Sequence, residues 1–264
     1  MSEAGLALLG CGRMGSAMLA GWLERGRAPA SVTVMDPAPS DWLRGTGVAL
    51  GAPPANVETL IVAVKPQMME EALATVRHLG GGSTLVVSIA AGWPIRRFEA
   101  VLGQGTPVVR AMPNTPAAIG RGITAIVGNE AAGSAGLDAA EGLLSAVGDV
   151  VRLPEEALMD AVTGVSGSGP AYVFHLIETL AAAAVAEGLA PDLALRLARA
   201  TVAGAGALAM EAGEEPAQLR RNVTSPRGTT EAALEVLMDP ERGFPKLVPE
   251  AVAAAVRRSR ELGS

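Results

Sequence analysis

Gly10-Cys11-Gly12-Arg13-Met14-Gly15 closes a short apolar run, LALLG, and opens a helical pattern. Glycines at that spacing let a backbone turn sharply and approach an anion. A helix starting there aims free N–H groups and the positive end of its dipole at the same anion. A second apolar run, VTVM, ends at Asp36, about 20 residues beyond the loop, where an acid accepts from a ribose hydroxyl. Together these residues point to a dinucleotide. The bland alternatives are a ligand-free glycine turn and an Asp36 that only caps the turn before Pro37. A carboxylate at this place favours NAD(H) and repels the 2′-phosphate of NADP(H), while Arg13 inside the loop would offset that repulsion. The residues lean slightly to NAD(H).

Two further loops fit the same crevice. LIVAVKPQ puts Lys65 and Pro66 at the end of a strand-like run, and VVRAMPNTP puts Asn114 between Pro113 and Pro116. Ligands in open α/β sheets bind outside the carboxyl ends of the strands. An ordinary solvated strand end for Lys65 and a plain turn residue for Asn114 are the alternatives.

The chemistry that is missing narrows the reaction. His78 and His175 are the two histidines, each within a helical pattern, and no His/Cys cluster has metal-ligand spacing. No metal is expected. Cys11, the single cysteine, reads as a small packed side chain of the glycine loop, and there is no G-x-S-x-G elbow. Hydride addition to a carbonyl usually needs a proton donor. Addition to a protonated imine does not, because its carbon is electron-poor before it binds. The sequence therefore permits an imine reductase.

The elements that must hold these residues fall into two rhythms. Up to residue 153 the runs LALLG, VTVM, TLIVAV, TLVVSIA, VVRAM, TAIVG and DVVRL alternate with helical patterns at 14–25, 67–78, 94–102 and 133–146. Unbroken apolar strands alternating with helices mean a mostly parallel sheet covered on both faces, a Rossmann-type doubly wound domain over 1–153. Over 154–264 the strand-like runs stop and Ala-rich helical patterns follow at 157–162, 170–187, 191–210, 229–238 and 247–262. The fold class is α/β, then all-α. Pro170 and Pro191 suit first helical turns. Gly204 and Gly206 inside a helix cost stability and make sense where another helix crosses closely.

Bulk composition excludes other classes. The net charge of −6, without basic stretches interleaved with aromatics, argues against nucleic acid. One cysteine forms no internal disulfide, which suits a reducing compartment. LALLGCG resembles a lipoprotein cleavage box, but Glu3 and the absence of Lys or Arg before it, with a short apolar run, argue against export. No uninterrupted apolar run reaches 18 residues, so no membrane span is expected and the chain is expected in the cytoplasm.

The hydroxyl-rich NVTSPRGTTE, residues 222–231, interrupts the helices of the second half. TGVSGSGPAYVFHLIE, LRRNVTSPRGTTEAAL and AVRRSREL, with GCGRMG, AVKPQ and RAMPNTP, closely resemble pyrroline-5-carboxylate reductase in order and over nearly the whole chain. The resemblance implies hydride transfer from NADPH or NADH to the imine carbon of Δ1-pyrroline-5-carboxylate, giving proline. It implies a small-molecule substrate and a homodimer interlocked through the helical domains, often assembled further into decamers. The family's active site lies between one subunit's nucleotide domain and helical-domain residues at the dimer interface. Carried over by motif, the cofactor contacts are the Gly10–Gly15 loop, Asp36, Ala63, Val64, Lys65, Pro66, Ile89, Ala90 and Ala91. The substrate contacts are Asn222, Val223, Gly228, Thr229 and Thr230, with Thr230 at the ring nitrogen. The hinge then reads as a carboxylate cradle at a helix start, where the alternative is that Thr229 or Ser225 only caps the helix. Arg227 and Asp36 depart from the family, which usually has Gly at the first and often a non-acid at the second. Two other readings remain: a β-hydroxyacid dehydrogenase, for which Lys246 is the one lysine of the helical half, and a non-catalytic dinucleotide-binding regulator.

Overall fold

The computed structural model describes residues 5–52 and 55–263. The strands are β1 Leu6–Leu9, β2 Val32–Met35, β3 Ala49–Leu50, β4 Thr59–Val62, β5 Leu85–Ser88, β6 Val108–Met112, β7 Gly122–Gly128 and β8 Gly148–Arg152. They form one sheet of order β3-β2-β1-β4-β5-β6-β7-β8. Neighbours are parallel throughout, except for the antiparallel pair β6 and β7. The chain builds outward from β1 in one direction and from β4 in the other. That reversal opens a crevice at the carboxyl ends of β1 and β4.

Alternation along β1 explains why its run is apolar throughout. Leu6 and Leu8 face one core with Met18, Leu19, Trp22, Ile126 and Leu144. Ala7 and Leu9 face the other with Leu60, Met69, Leu73, Phe98 and Val108. The first core is covered by helices α1 Arg13–Glu24 and α5 Gly133–Leu144. The second is covered by α3 Met69–Thr75 and α4 Ile95–Leu102. Each fully buried Leu, Ile, Met or Phe contributes about 1.5–3 kcal/mol.

Local chemistry sets the short elements. The periodic stretch 67–78 is not one helix: Pro66 starts a 3-10 turn over Pro66–Met68, α3 follows, and a second 3-10 turn, Arg77–Leu79, ends it. β3 and the five-residue helix α2, Asp41–Gly45, were too short to show a period. The Ser40 side chain caps α2 by accepting from the Leu43 N–H.

The described residues form two compact units, one ending at Gly167 and rejoined by Ala255–Gly263, the other Ser168–Ala254. This division lies later than the change of rhythm at residue 153. The reason is packing: helix α6, Met159–Val162, buries Met159 in the second core, and a π-helical turn, Thr163–Gly167, brings Gly167 against Met112. A Cβ on Gly167 would lie 2.5 Å from Met112 Cε.

The second unit holds α7 Gly169–Ala186, α8 Pro191–Glu211, α9 Pro216–Asn222, α10 Thr229–Leu237 and the first part of α11, Phe244–Gly263. Pro170 and Pro191 do occupy first turns. α7 and α8 form a hairpin packed through Ala194 and Ala198, yet α7 itself buries no residue. Phe174, Leu180, Leu197, Leu208 and Met210 are exposed. Nothing lies within 4 Å of a Cβ built on Gly204 or Gly206, so within the chain no described helix crosses there. Glu156–Ala186 and Pro191–Glu211 are long and apolar enough, by length and composition, to cross a membrane.

Candidate active site

The glycine loop is a cradle shaped by contacts a side chain would destroy. Gly10 has φ +89, and a Cβ there would meet Val64 Cγ1 at 2.8 Å and the Ala63 carbonyl oxygen at 3.0 Å. A Cβ on Gly15 would lie 2.5 Å from the Gly10 carbonyl oxygen. Gly12 differs: nothing lies within 4 Å of its Cβ position, so that face of the loop is open. No side chain caps α1 at Gly12, which leaves its first N–H groups for an outside acceptor. Met14 packs partly against the first core, and Arg13 is exposed.

Asp36 closes this loop from the end of β2. Its Oδ2 accepts from the Cys11 N–H at 2.7 Å, and its Oδ1 accepts from the Ala38 N–H at 2.8 Å. The second bond is the turn cap around Pro37, and it coexists with the first. Burial of the half-buried Cys11, and then the Asp36 charge, push its thiol up to about 11. Cys11 is thus a packing group whose thiolate form is disfavoured near neutral pH.

A cavity of about 390 Å³ opens beside this corner, with Gly10, Asp36, Pro37, Val64, Met68 and Glu71 among its lining residues. Such a volume suits a nucleoside. A larger hollow of about 760 Å³ lies at the opposite, amino ends of β4 and β5, with Asn56, Glu58, His78 and Thr84 on its wall. It is at the wrong end of a parallel sheet for a ligand.

The remaining first-unit candidates follow the carboxyl ends of β4, β5 and β6. Lys65 and Pro66 are exposed, and the Ala63 N–H donates to the Leu9 carbonyl at 2.8 Å. The Ile89 N–H donates to the Val62 carbonyl and the Ala90 N–H to Ser88 Oγ, while Ala91 is half-buried. The Asn114 side chain is already engaged: Oδ1 accepts from the Ile123 N–H at 3.0 Å, and Nδ2 donates to Ser166 Oγ at 3.3 Å.

The second-unit candidates share the segment between α9 and α10. Gly228 is the N-cap of α10, and no side chain caps that helix. Thr229 and Thr230 occupy its first two positions, so neither they nor Ser225 act as the cap. The cap alternative considered for the hinge is therefore absent, and the N–H groups of Thr229 and Thr230 face no capping side chain. Gly228 is required sterically, since a Cβ would lie 2.9 Å from the Ser225 carbonyl oxygen. Arg227 adopts φ 58, the one non-glycine residue at positive φ among the described residues, and its N–H donates to Glu231 Oε2. Asn222 is held by Gln218 and Glu214, and Val223 is exposed.

Sequence reasoning missed Glu71, Ser166 and the buried Arg110, whose guanidinium meets Glu156 at 2.9 Å. For Glu71 a signal existed, since it lies one turn before Thr75 on the same face of α3, and both line the cavity. For Arg110 a strand pattern offers none. Lys246 lies early in α11, 3.9 Å from Glu241. No group of three or more potential metal ligands exists among the described residues.

Comparison with known proteins follows the same lines. Residues 156–262 match the family model described as pyrroline-5-carboxylate reductase dimerisation, and residues 5–92 match one described as NADP oxidoreductase, coenzyme F420-dependent. The chain is 45% identical to a pyrroline-5-carboxylate reductase of Synechocystis, with 98% of each chain covered. It is 40% identical to the Pseudomonas aeruginosa protein of that name, with 99% of this chain and 98% of the other covered. Among solved structures, a pyrroline-5-carboxylate reductase from Coxiella burnetii superposes with TM-score 0.93 at 32% identity, covering 99% of both chains. A Plasmodium falciparum pyrroline carboxylate reductase with NADP bound gives TM-score 0.86 at 28% identity over 100% of both.

Proposed function

Since this chain belongs to the pyrroline-5-carboxylate reductase family, we propose that it reduces Δ1-pyrroline-5-carboxylate to L-proline with NAD(P)H, the last step of proline biosynthesis. The two units divide the work. The first binds the cofactor through Gly10, Cys11, Gly12, Arg13, Met14, Gly15, Asp36, Ala63–Pro66, Ile89–Ala91 and Asn114, whose side chain also bonds the Ile123 N–H and Ser166. The second binds the substrate through Asn222, Val223, Gly228, Thr229 and Thr230. The division into residues 1–153 for nucleotide and 154–264 for substrate and dimerisation is supported by the two family matches.

One observation carries the substrate assignment: α10 begins at Thr229 and Thr230 with no side-chain cap. Its first N–H groups would hold the substrate carboxylate, assisted by the helix dipole. Neither threonine hydroxyl is engaged by a cap, so that of Thr230 is available to the ring nitrogen. The reduced nicotinamide, when bound, supplies a hydride. Thr230 Oγ1 would accept from the protonated imine N–H, hold the ring in place, and donate to the nitrogen lone pair once the C=N bond is reduced.

The exposed apolar surface of α7 and α8 and the open Gly204 and Gly206 support a homodimer rather than a membrane span, since a partner's helices would cover both. Further assembly to decamers, and a cytoplasmic site of action, complete the reading. Formation of proline from pyrroline-5-carboxylate tests it. Cofactor binding without turnover would sink the proposal in favour of a regulator.

A further inference from the structure

We infer that the adenosine cavity selects NAD(H) against NADP(H), and that Glu71 on α3 is a second determinant of that choice beside Asp36. The inference rests on the proposed reading of the glycine loop as the cofactor site.

Asp36 is held in place at the end of β2. Its two oxygens are pinned by the N–H groups of Cys11 and Ala38, at 2.7 and 2.8 Å. Each oxygen keeps a lone pair, so the carboxylate can still accept from a ribose hydroxyl. A residue pinned in this way presents a fixed negative charge where the acid at the end of β2 meets the ribose.

The rest of the described wall holds no cation, and its one hydroxyl, that of Thr75, already donates to the Ala72 carbonyl. The cavity is lined by apolar groups such as Leu9, Val64 and Met68, by backbone at Gly51, and by one further charge, that of Glu71. No Lys or Arg lines it: Arg13 and Lys65, the cations of the neighbouring loops, are absent from its wall. A 2′-phosphate carries close to two negative charges at neutral pH. It would enter a cavity whose described lining holds two carboxylates and no Lys or Arg, leaving the exposed Arg13 of the glycine loop as the cation to offset them, whereas a 2′-hydroxyl would enter as a hydrogen-bond donor.

Glu71 also separates the electrostatic argument from the structural one. Replacing Asp36 removes a charge and unpins the glycine loop together, so a change in cofactor binding there is ambiguous. Glu71 is exposed and makes no hydrogen bond or ion pair to another side chain among the described residues. Its replacement alters charge with little else.

The test is calorimetric titration of the wild-type protein, Glu71→Gln and Glu71→Lys with NAD+ and NADP+, which needs no turnover. Wild type is expected to bind NAD+ at least about tenfold more tightly, since unit charges a few ångströms apart interact by about 1 kcal/mol or more even in water. Glu71→Gln should narrow the ratio about three- to tenfold by tightening NADP+, and Glu71→Lys should narrow it further, with NADP+ affinity changing more than NAD+ affinity in both. The wild-type ratio should also shrink between 0.05 and 0.5 M salt, as screening shortens to a few ångströms. Equal or tighter NADP+ binding by the wild type, or an unchanged ratio in both variants, overturns the inference. Absence of proline formation with the titration ratio intact would instead sink the proposed reaction and leave this inference standing.

Discussion

The Glu231 carboxylate, one turn into α10, accepts from the N–H of Arg227 and so holds a residue with a Cβ at φ 58. A left-handed conformation costs an ordinary residue about 1–2 kcal/mol, and glycine nothing comparable. Glu231 is therefore the positioning residue of the proposed substrate cradle, because it stabilises a turn that Arg227 alone disfavours. Arg227→Gly should raise stability by about 0.5–1 kcal/mol, the steric gain less the entropy glycine adds to the unfolded chain. Glu231→Ala should weaken substrate binding in the wild type, and less so in the Arg227→Gly background, where the turn forms unaided. Thermal melts and a double-mutant cycle on KM measure both. Equal effects of Glu231→Ala in the two backgrounds would show that Glu231 does not set the turn.

Cys11 should resist alkylation. With its thiol near 11 instead of 9.0, the thiolate is about 100-fold scarcer at pH 8 than in an unperturbed cysteine. Iodoacetamide should react correspondingly slowly with the native protein and at the ordinary rate with the denatured one. Asp36→Asn should restore only part of the rate, because burial is the larger cause. The sign for stability follows. Below pH 9 the thiol is neutral folded and unfolded. Between 9 and about 11 only the unfolded state ionises, so this group's contribution is lost as pH rises. A native alkylation rate equal to the denatured rate would refute the assignment.

The site was legible in the sequence wherever one residue type carried a steric or charge requirement. Gly10, Gly15 and Gly228 each occupy a place where a Cβ collides with backbone or a neighbouring side chain, and their motifs announced that. The central strands β1, β4 and β5 were legible because both sheet faces are covered there, which makes each run apolar almost throughout, whereas the edge strand β8 is largely exposed and carries Asp149 and Arg152. What stayed hidden depends on tertiary neighbours. The Asp36 pin joins residues 25 apart, the Asn114–Ser166 bond spans 52, and no local pattern encodes either. The return of 255–263 to the first unit was equally invisible, since Ser259 meets Asp160 only once α11 has folded. Sequence rhythm marks where helices replace strands, not where packing divides, and so placed the change before α6.

Assembly through the second unit makes a separate prediction. Leu208 on α8 is 53% exposed and lies near Gly204 and Gly206, whose surroundings are open within the chain. Placing a charge in a surface that a partner covers costs several kcal/mol unless it is paired. Leu208→Glu should weaken the dimer on the order of 100-fold or more, and should make the melting temperature fall with dilution more steeply than in the wild type. Sedimentation velocity over a concentration series provides the readout. A wild-type protein that sediments as a fully active monomer at low concentration would count against the proposed interface.

Thr230 supplies the sharpest test of the chemistry. It stands at the second position of α10, and no cap engages its hydroxyl. A hydroxyl is too weak an acid to drive proton transfer, so the role proposed for it is orientation of the ring nitrogen of a protonated imine. Loss of one hydrogen bond to a charged group costs roughly 1.5–3 kcal/mol, which corresponds to about 10- to 100-fold in kcat/KM. Thr230→Val keeps the shape of the side chain and the backbone N–H, so folding and NAD(P)+ binding should be unchanged while turnover of pyrroline-5-carboxylate falls by that factor. Thr230→Ser should recover most of it. Thr229→Val should cost less, because its backbone N–H, which the substitution preserves, is the group assigned to the carboxylate. Steady-state kinetics on the three variants, with cofactor titrations alongside, distinguishes the roles. A larger loss at Thr229 than at Thr230, or full activity in Thr230→Val, would reverse the assignment of the cradle.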